Sequence, residues 1–269
     1  MIELLLDQLL QTIILGLIQG LSEWLPISST AHLKIAEHFF GLAATPLFNV
    51  TLHVGTLFVV VFYFRRDVKN ILVSLFHLDF KSENGSLIPP IVVATIPTGI
   101  IGLLYALFLG DTYQTLPIIG TTFLVGATVL YLSKSGKETN TTITLKTALI
   151  MGTAQGLASF PGLSRSGVTI SAALLLGLKR DKAFKFSFLL SIPAIAGDLA
   201  VTAVQQRGQF ALQTISSVDI LAGIVAAIIA GYLAIRLVSN LVKSKRFHYF
   251  AAYTMSLGIA LIILALAGF

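Results

Sequence analysis

The sequence predicts an all-α polytopic membrane protein built as an inverted repeat, and three observations predict it. First, 55% of the 269 residues are apolar and only 11% are charged, whereas a soluble domain carries roughly a quarter charged residues. Second, the runs 38–64, 84–110, 112–133 and 247–269 contain no Asp, Glu, Lys or Arg. They match or exceed the ~20 residues a helix needs to cross ~30 Å of hydrocarbon. Third, the chain aligns with itself at an offset of 136 residues (151 − 15). "LGLIQGLSEW" from Leu15 falls on "MGTAQGLASF" from Met151, pairing Gly16, Gln19, Gly20 and Leu21 with Gly152, Gln155, Gly156 and Leu157. The register continues through Ser28 on Ser164, Gly41 on Gly177 and Phe48 on Phe184. One integral membrane domain, 1–269, is therefore expected to divide into a first repeat, 1–135, and a second, 136–269.

Each repeat opens on an apolar segment that breaks at a turn, Pro26 in the first and Pro161-Gly162 in the second. The segments that follow, Ser28 to Gly41 and Ser164 to Gly177, are about 14 residues long and too short to cross. Each repeat thus begins with a re-entrant helix pair. Non-helical backbone at membrane depth survives only under protein or beside water, so both turns belong inside the bundle or at a cavity. Apolar runs after 46, 87 and 114, and again after 182, 223 and 250, then supply three transmembrane helices per repeat.

Three crossings is an odd number, so the second repeat enters from the opposite side and the repeat is inverted. Loop charge agrees. The connections 65–86, 134–147, 178–185 and 240–248 hold fourteen Lys and Arg residues, and the opposite connections hold Arg207 alone. Basic loops stay in the cytoplasm. Both termini and the mouth of the first re-entrant pair, with the active site, are then expected on the outer face, with 109–114 and 205–218 outside as well. The net charge of +6 reads as this loop bias, not as a nucleic-acid surface. No Lys or Arg precedes Lys34, so the N-terminus lacks the basic start of a cleavable signal and is expected to remain. The absence of cysteine excludes disulfides, thiolate nucleophiles, Cys-ligated zinc and iron–sulfur clusters.

The chemistry concentrates at the two turns. Gln19 and Glu23 stand at i and i+4 on one helix face just before Pro26. Ser28, Ser29, Thr30 and His32 follow directly after it. Ionisable groups inside a membrane are costly, and Glu23 is accordingly a site candidate. In the second repeat, "PGLSRSGVT" from Pro161 to Thr169 starts a short helix with small and hydroxyl residues. Free N–H groups and the positive end of a helix dipole beside Arg165 make a phosphate cradle. The guanidinium offers a planar fork, and Ser164, Ser166 and Thr169 add neutral donors. His53, in an apolar span, reads either as a packed histidine or as a support behind the site, and Asp198, near the outer end of its helix, as an interfacial acid ahead of a catalytic one.

These residues resemble the undecaprenyl-diphosphate phosphatase family, also called the bacitracin-resistance protein family, over essentially the whole chain. Its Glu/Gln-x-x-x-Glu motif with Pro-x-Ser-Ser-Thr-x-His is here Gln19 to Glu23 and "PISSTAH" from Pro26; its Pro-Gly-x-Ser-Arg-Ser-x-x-Thr motif is "PGLSRSGVT". The resemblance implies that Glu23 and His32 are catalytic and that Ser29 is a nucleophile or a phosphate ligand. It also implies that Arg165 binds the diphosphate with Ser164, Ser166 and Thr169, with Gln19, Ser28 and Thr30 as further contacts. Gln19 stands where many relatives carry a first glutamate, and Ala31 where glycine is usual. The implied activity is hydrolysis of a polyprenyl diphosphate to the monophosphate and inorganic phosphate, which recycles the lipid carrier of envelope glycan synthesis. Partners would be that lipid and the surrounding membrane. A magnesium or calcium ion bridging diphosphate oxygens is the cofactor to consider, although one carboxylate is thin support for a dedicated site; no organic cofactor is expected. The alternative is a lipid or small-anion transporter or flippase, since inverted repeats with broken helices also build transporters. A Lys-x6-Arg-Pro motif, the mark of the other membrane lipid phosphatases, is absent.

Overall fold

A computed structural model describes residues 2–41, 46–110, 114–205 and 216–268. Arg207 and parts of the 109–114 and 205–218 connections lie outside the described residues. Within them the chain forms helices and no β-strand, the one bridge joining Asn140 to Leu178. The first pair is α1 (Ile2–Trp24) and α2 (Ser29–Phe40), the latter ended by Gly41 in the left-handed conformation (φ 62°) that a helix C-terminus uses. Next come α3 (Pro46–Tyr63), α4 (Arg65–Phe76), α5 (Ile88–Phe108) and α6 (Leu116–Leu132). The second half holds α7 (Leu145–Leu157), α8 (Arg165–Leu175), α9 (Arg180–Gln205), α10 (Ser217–Lys243) and α11 (Phe250–Leu266). Ser and Thr caps start three of these helices: Thr144 accepts from the Thr147 N–H, Ser164 from Gly167, and Ser216 from Asp219.

Helices α5, α6, α9, α10 and α11 are long and apolar enough to cross a membrane, and α3 with α4 makes a sixth if that bent pair is one span. The chain is thus an all-α polytopic membrane protein. The stretch 65–86, expected as a loop, is partly helical. Helix α4 turns 81° away from α3 and is tied to α9 by Lys185 on Asp67 at 2.5 Å. Its charges, Arg65, Arg66, Asp67 and Lys69, crowd the first turns, and that crowding disguises a helix as a connection.

Lipid tails are as apolar as leucine, so helices in a membrane associate by close packing, and small residues allow it. Helix α1 lies along α10 and α7 along α5. A Cβ on Gly20 would stand 2.9 Å from both Ala227 Cα and Ala230 Cβ, and one on Gly156 would stand 2.8 Å from Ile101 Cβ and 3.0 Å from Pro97 O. Gly16 and Gly152 press equally hard on Gly223 and Ala94. The partners correspond as Ala94 to Gly223 and Ile101 to Ala230, an offset of 129 (223 − 94) where the ungapped alignment used 136. The two offsets differ by seven residues (136 − 129), about two helical turns, and α4 lies in the chain between α3 and α5. Helices α6 and α11 pair through Gly120 and Gly258, each of whose Cβ would stand 2.8 Å from the other's carbonyl oxygen. These seams enclose a core around Trp24, Phe64, Phe184, Phe186 and Phe188 and leave the two turns facing each other in the middle of the bundle.

Candidate active site

The two turns are stitched together by their own side chains. Ser28 caps α2 with φ 66° and ψ 103°, a left-handed backbone that costs a non-glycine residue about 1–2 kcal/mol. Three contacts hold it there. The Gly162 N–H donates to Ser28 Oγ (3.0 Å), and both the His32 N–H (3.2 Å) and His32 Nδ1 (2.8 Å) reach the Ser28 carbonyl. From the other turn, Ser164 Oγ and Ser166 Oγ each donate to the Leu25 carbonyl at 3.3 Å. Gly162 itself sits at φ 100°, where a side chain is strained.

This interlock delivers Ser29 and Arg165 to Glu23. The Glu23 carboxylate is nearly sealed from solvent, at 2% side-chain exposure. Its Oε2 accepts from Gln19 Nε2 (3.0 Å) and Ser29 Oγ (2.6 Å), and its Oε1 is paired with Arg165 Nη2. A buried carboxylate without partners would be prohibitively costly; here the helix-face neighbour, the first residue of α2 and the first residue of α8 meet that cost together. The i, i+4 placement of Gln19 and Glu23 becomes a hydrogen bond, and the anion that the buried Arg165 needs is Glu23.

Other predicted residues lie apart. Neither a hydrogen bond nor an ion pair joins His32 to Glu23 or to the Ser29 hydroxyl; its Nε2 is bonded to Tyr253 Oη at 2.7 Å. Thr169 is fully buried, donates to the Arg165 carbonyl and accepts from Ser187 Oγ at 2.7 Å, so its hydroxyl is occupied within the packed helices. Thr30 is exposed beside the turn. Three residues that sequence reasoning set aside or missed are close at hand. His53 Nε2 lies 3.7 Å from Glu23 Oε2, with Nδ1 on the Asn49 carbonyl at 2.8 Å. Asp198 is within Coulombic reach of Arg165, and Tyr253 holds His32. Each lies outside both motifs on a helix distant in the chain, and only the tertiary packing brings it near the turns.

Arranged this way, the site has an acid-paired guanidinium, a serine hydroxyl on a carboxylate, and the starts of two helices. These are the parts needed to receive a phosphate group and activate an oxygen nucleophile. The donor set does not fit a caged magnesium or calcium ion, which prefers several oxygen ligands. Glu23 is the one carboxylate between the turns, and both of its oxygens are engaged. Among the described residues no three of His, Asp and Glu converge elsewhere.

Residues 12–260 match the family model described as bacitracin resistance protein BacA. The chain is 37% identical over 266 residues to the undecaprenyl-diphosphatase of Korarchaeum cryptofilum, covering 96% of this chain and 99% of that one. It is 39% identical over 275 residues to that of Methanosphaera stadtmanae (96% and 98%). It is likewise 39% identical over 259 residues to undecaprenyl-diphosphatase 3 of Bacillus cereus (95% and 96%).

Proposed function

The chain belongs to the bacitracin resistance protein BacA family, and from this premise we propose that it is a membrane phosphatase that converts undecaprenyl diphosphate to undecaprenyl monophosphate and inorganic phosphate. The observation that carries the reading to particular atoms is the junction at Glu23, where Ser29 Oγ sits on one carboxylate oxygen and Arg165 on the other. The lipid tail stays in the bilayer while the diphosphate enters between the turns. Its oxygens compete with Glu23 for Arg165, whose planar fork suits them. Glu23, released from the guanidinium, becomes a stronger base. It takes the Ser29 proton as Oγ bonds to the terminal phosphorus, and the bond from that phosphorus to the bridging oxygen breaks, freeing the lipid monophosphate. Water then adds to the phosphoserine. Its hydroxyl stays on phosphorus as the phosphorus–Oγ bond breaks and releases inorganic phosphate, its proton goes to Ser29 Oγ, and the proton on Glu23 leaves with the products. Gln19 orients Glu23 through its amide, and the serines of the second turn hold the Leu25 carbonyl in place.

Two further parts belong to this proposal. The halves are read as inverted repeats, supported by the reciprocal pairing of α1 with α10 and α7 with α5. The basic connections are read as cytoplasmic, which puts the site mouth and both termini outside. No step is routed through a divalent cation, because the residues offer it no cage. The test is phosphate release from undecaprenyl diphosphate by detergent-purified protein. Turnover that disappears in Ser29→Ala and Glu23→Gln is expected; a folded parent protein that releases no phosphate would sink the reading and return the transporter alternative.

A further inference from the structure

His32 and Glu23 are both expected to be catalytic, yet in the folded protein they are not partners. The His32 ring is held from four sides. Nδ1 reaches the Ser28 carbonyl at 2.8 Å, and since a carbonyl only accepts, Nδ1 carries the proton. Nε2 is therefore the acceptor in the neutral ring, and the group donating to it is the Tyr253 hydroxyl at 2.7 Å. The Tyr253 ring stacks on the imidazole, with centroids 5.8 Å apart and planes 14° from parallel. The Phe123 ring meets its edge at 5.9 Å. Tyr253 comes from α11, 221 residues along the chain, and stands outside both sequence motifs.

We infer that Tyr253 is a positioning residue for His32, its hydroxyl holding Nε2 in the acceptor state and its ring fixing the plane of the imidazole. The reasoning uses the number of protons available. Nδ1 has already given its hydrogen to Ser28, so the ring has one lone pair left to offer, and Tyr253 occupies it in the resting protein. Once the ring takes a proton, Nε2–H can no longer accept. It must donate, either to the tyrosine oxygen or to a phosphate oxygen, and Tyr253 has to turn its hydroxyl away. The tyrosine thus favours the neutral ring and opposes early protonation. Few other charges compete with it. Helix α6 carries no Asp, Glu, Lys, Arg or His, Tyr253 is the only ionisable side chain of α11, Arg165 of α8 is taken by Glu23, and Glu23 of α1 is spent on Gln19, Ser29 and Arg165. On α2 itself, Lys34 is paired with Glu37 at 2.9 Å, and His38 lies in the last turn, away from the cap.

The inference rests on the phosphatase reading, and the experiment separates the two. Rates of phosphate release from undecaprenyl diphosphate are measured from pH 5 to 9 for the parent, Tyr253→Phe, His32→Gln and the double variant, with Tyr249→Phe, exposed in the turn just before α11, as the control. Phenylalanine keeps the ring and its stacking, so elution and melting of Tyr253→Phe should match the parent. The limb of the pH profile that disappears in His32→Gln should move to higher pH in Tyr253→Phe, by on the order of half a unit for one lost hydrogen bond. In the His32→Gln background the Tyr253 change should have no further effect on kcat. A Tyr253→Phe profile that superimposes on the parent, or an equal loss from Tyr253→Phe with and without His32, overturns the positioning role. A parent without phosphatase activity overturns the function instead.

Discussion

Gly162→Ala is the substitution for which the structure yields a magnitude. Two costs arise at one atom. At φ 100° an alanine sits in a region that carries a strain of about 1–3 kcal/mol. The new Cβ would also stand 2.8 Å from the Ile119 carbonyl oxygen and 3.0 Å from Thr122 Cβ, and nearer still to Thr122 Oγ1. Ordinary contact lies at ~3.5–4.0 Å, so the turn must retreat by roughly 1 Å. The retreat cannot be absorbed locally, because Thr122 Oγ1 is bonded to the Pro161 carbonyl and the Gly162 N–H holds Ser28 Oγ at 3.0 Å. It passes to Ser28, Ser29 and the start of α8. A displacement of that size at a reacting centre costs on the order of 10²-fold in rate, together with about 2–4 kcal/mol of stability when strain and overpacking are combined. Phosphate release at saturating substrate, measured beside thermal melting in detergent, reads both. Gly99→Ala is the matched control: its Cβ would meet nothing within 4 Å, and in a helix the change should stabilise slightly if at all. Gly162→Ala within threefold of the parent in kcat would refute the idea that this turn positions the nucleophile.

Arg165→Lys keeps the charge but loses the fork, so activity should fall at least tenfold at unchanged expression; near-parental turnover would remove Arg165 from the phosphate site. Glu23→Gln should cost 10²-fold or more, whereas Gln19→Ala, which removes one hydrogen bond to the same carboxylate, should cost less. Reversal of that order would mean that Gln19, not Glu23, is the group the chemistry depends on. For orientation, single cysteines at exposed Lys81 and Thr115 in this cysteine-free chain should differ on intact cells. An impermeant maleimide should reach Thr115→Cys and not Lys81→Cys, and equal labelling would contradict the assignment of sides.

Much of the site was legible because its residues are neighbours along the chain. Gln19, Glu23, Ser28, Ser29 and His32 flank one turn, Ser164, Arg165 and Ser166 flank its counterpart, and the short segments after each turn were countable against bilayer thickness. The self-alignment joined the two turns before any coordinate did. What remained hidden depends on packing between distant helices. Tyr253 and His53 are polar residues scattered in largely apolar helices and outside both motifs, a pattern shared by any satisfied core residue. Thr169 belongs to a motif by sequence, but the winding of α8 turns its hydroxyl toward Ser187. The 136-residue offset read from the sequence pairs Gly16 and Gly20 of α1 with Gly152 and Gly156 of α7, but the residues those glycines pack on, Gly223 and Ala94, stand 129 apart (223 − 94), a spacing that only the packing of the helices reveals.

The interlocked turns have a mechanical consequence. A rocking transporter needs a seam that can slide, with one half swinging past the other around its cargo. Here the seam is riveted at the place that would have to slide: Gly162 to Ser28, Ser164 and Ser166 to Leu25, Arg165 to Glu23. Swinging the halves apart would part Gly162 from Ser28 and the two serines from the Leu25 carbonyl, and would free Ser28 from its left-handed backbone, so the place of Ser29 would be lost at each stroke. For the proposed hydrolysis such a scaffold would act as an anvil, holding still while the lipid diffuses to it and away again.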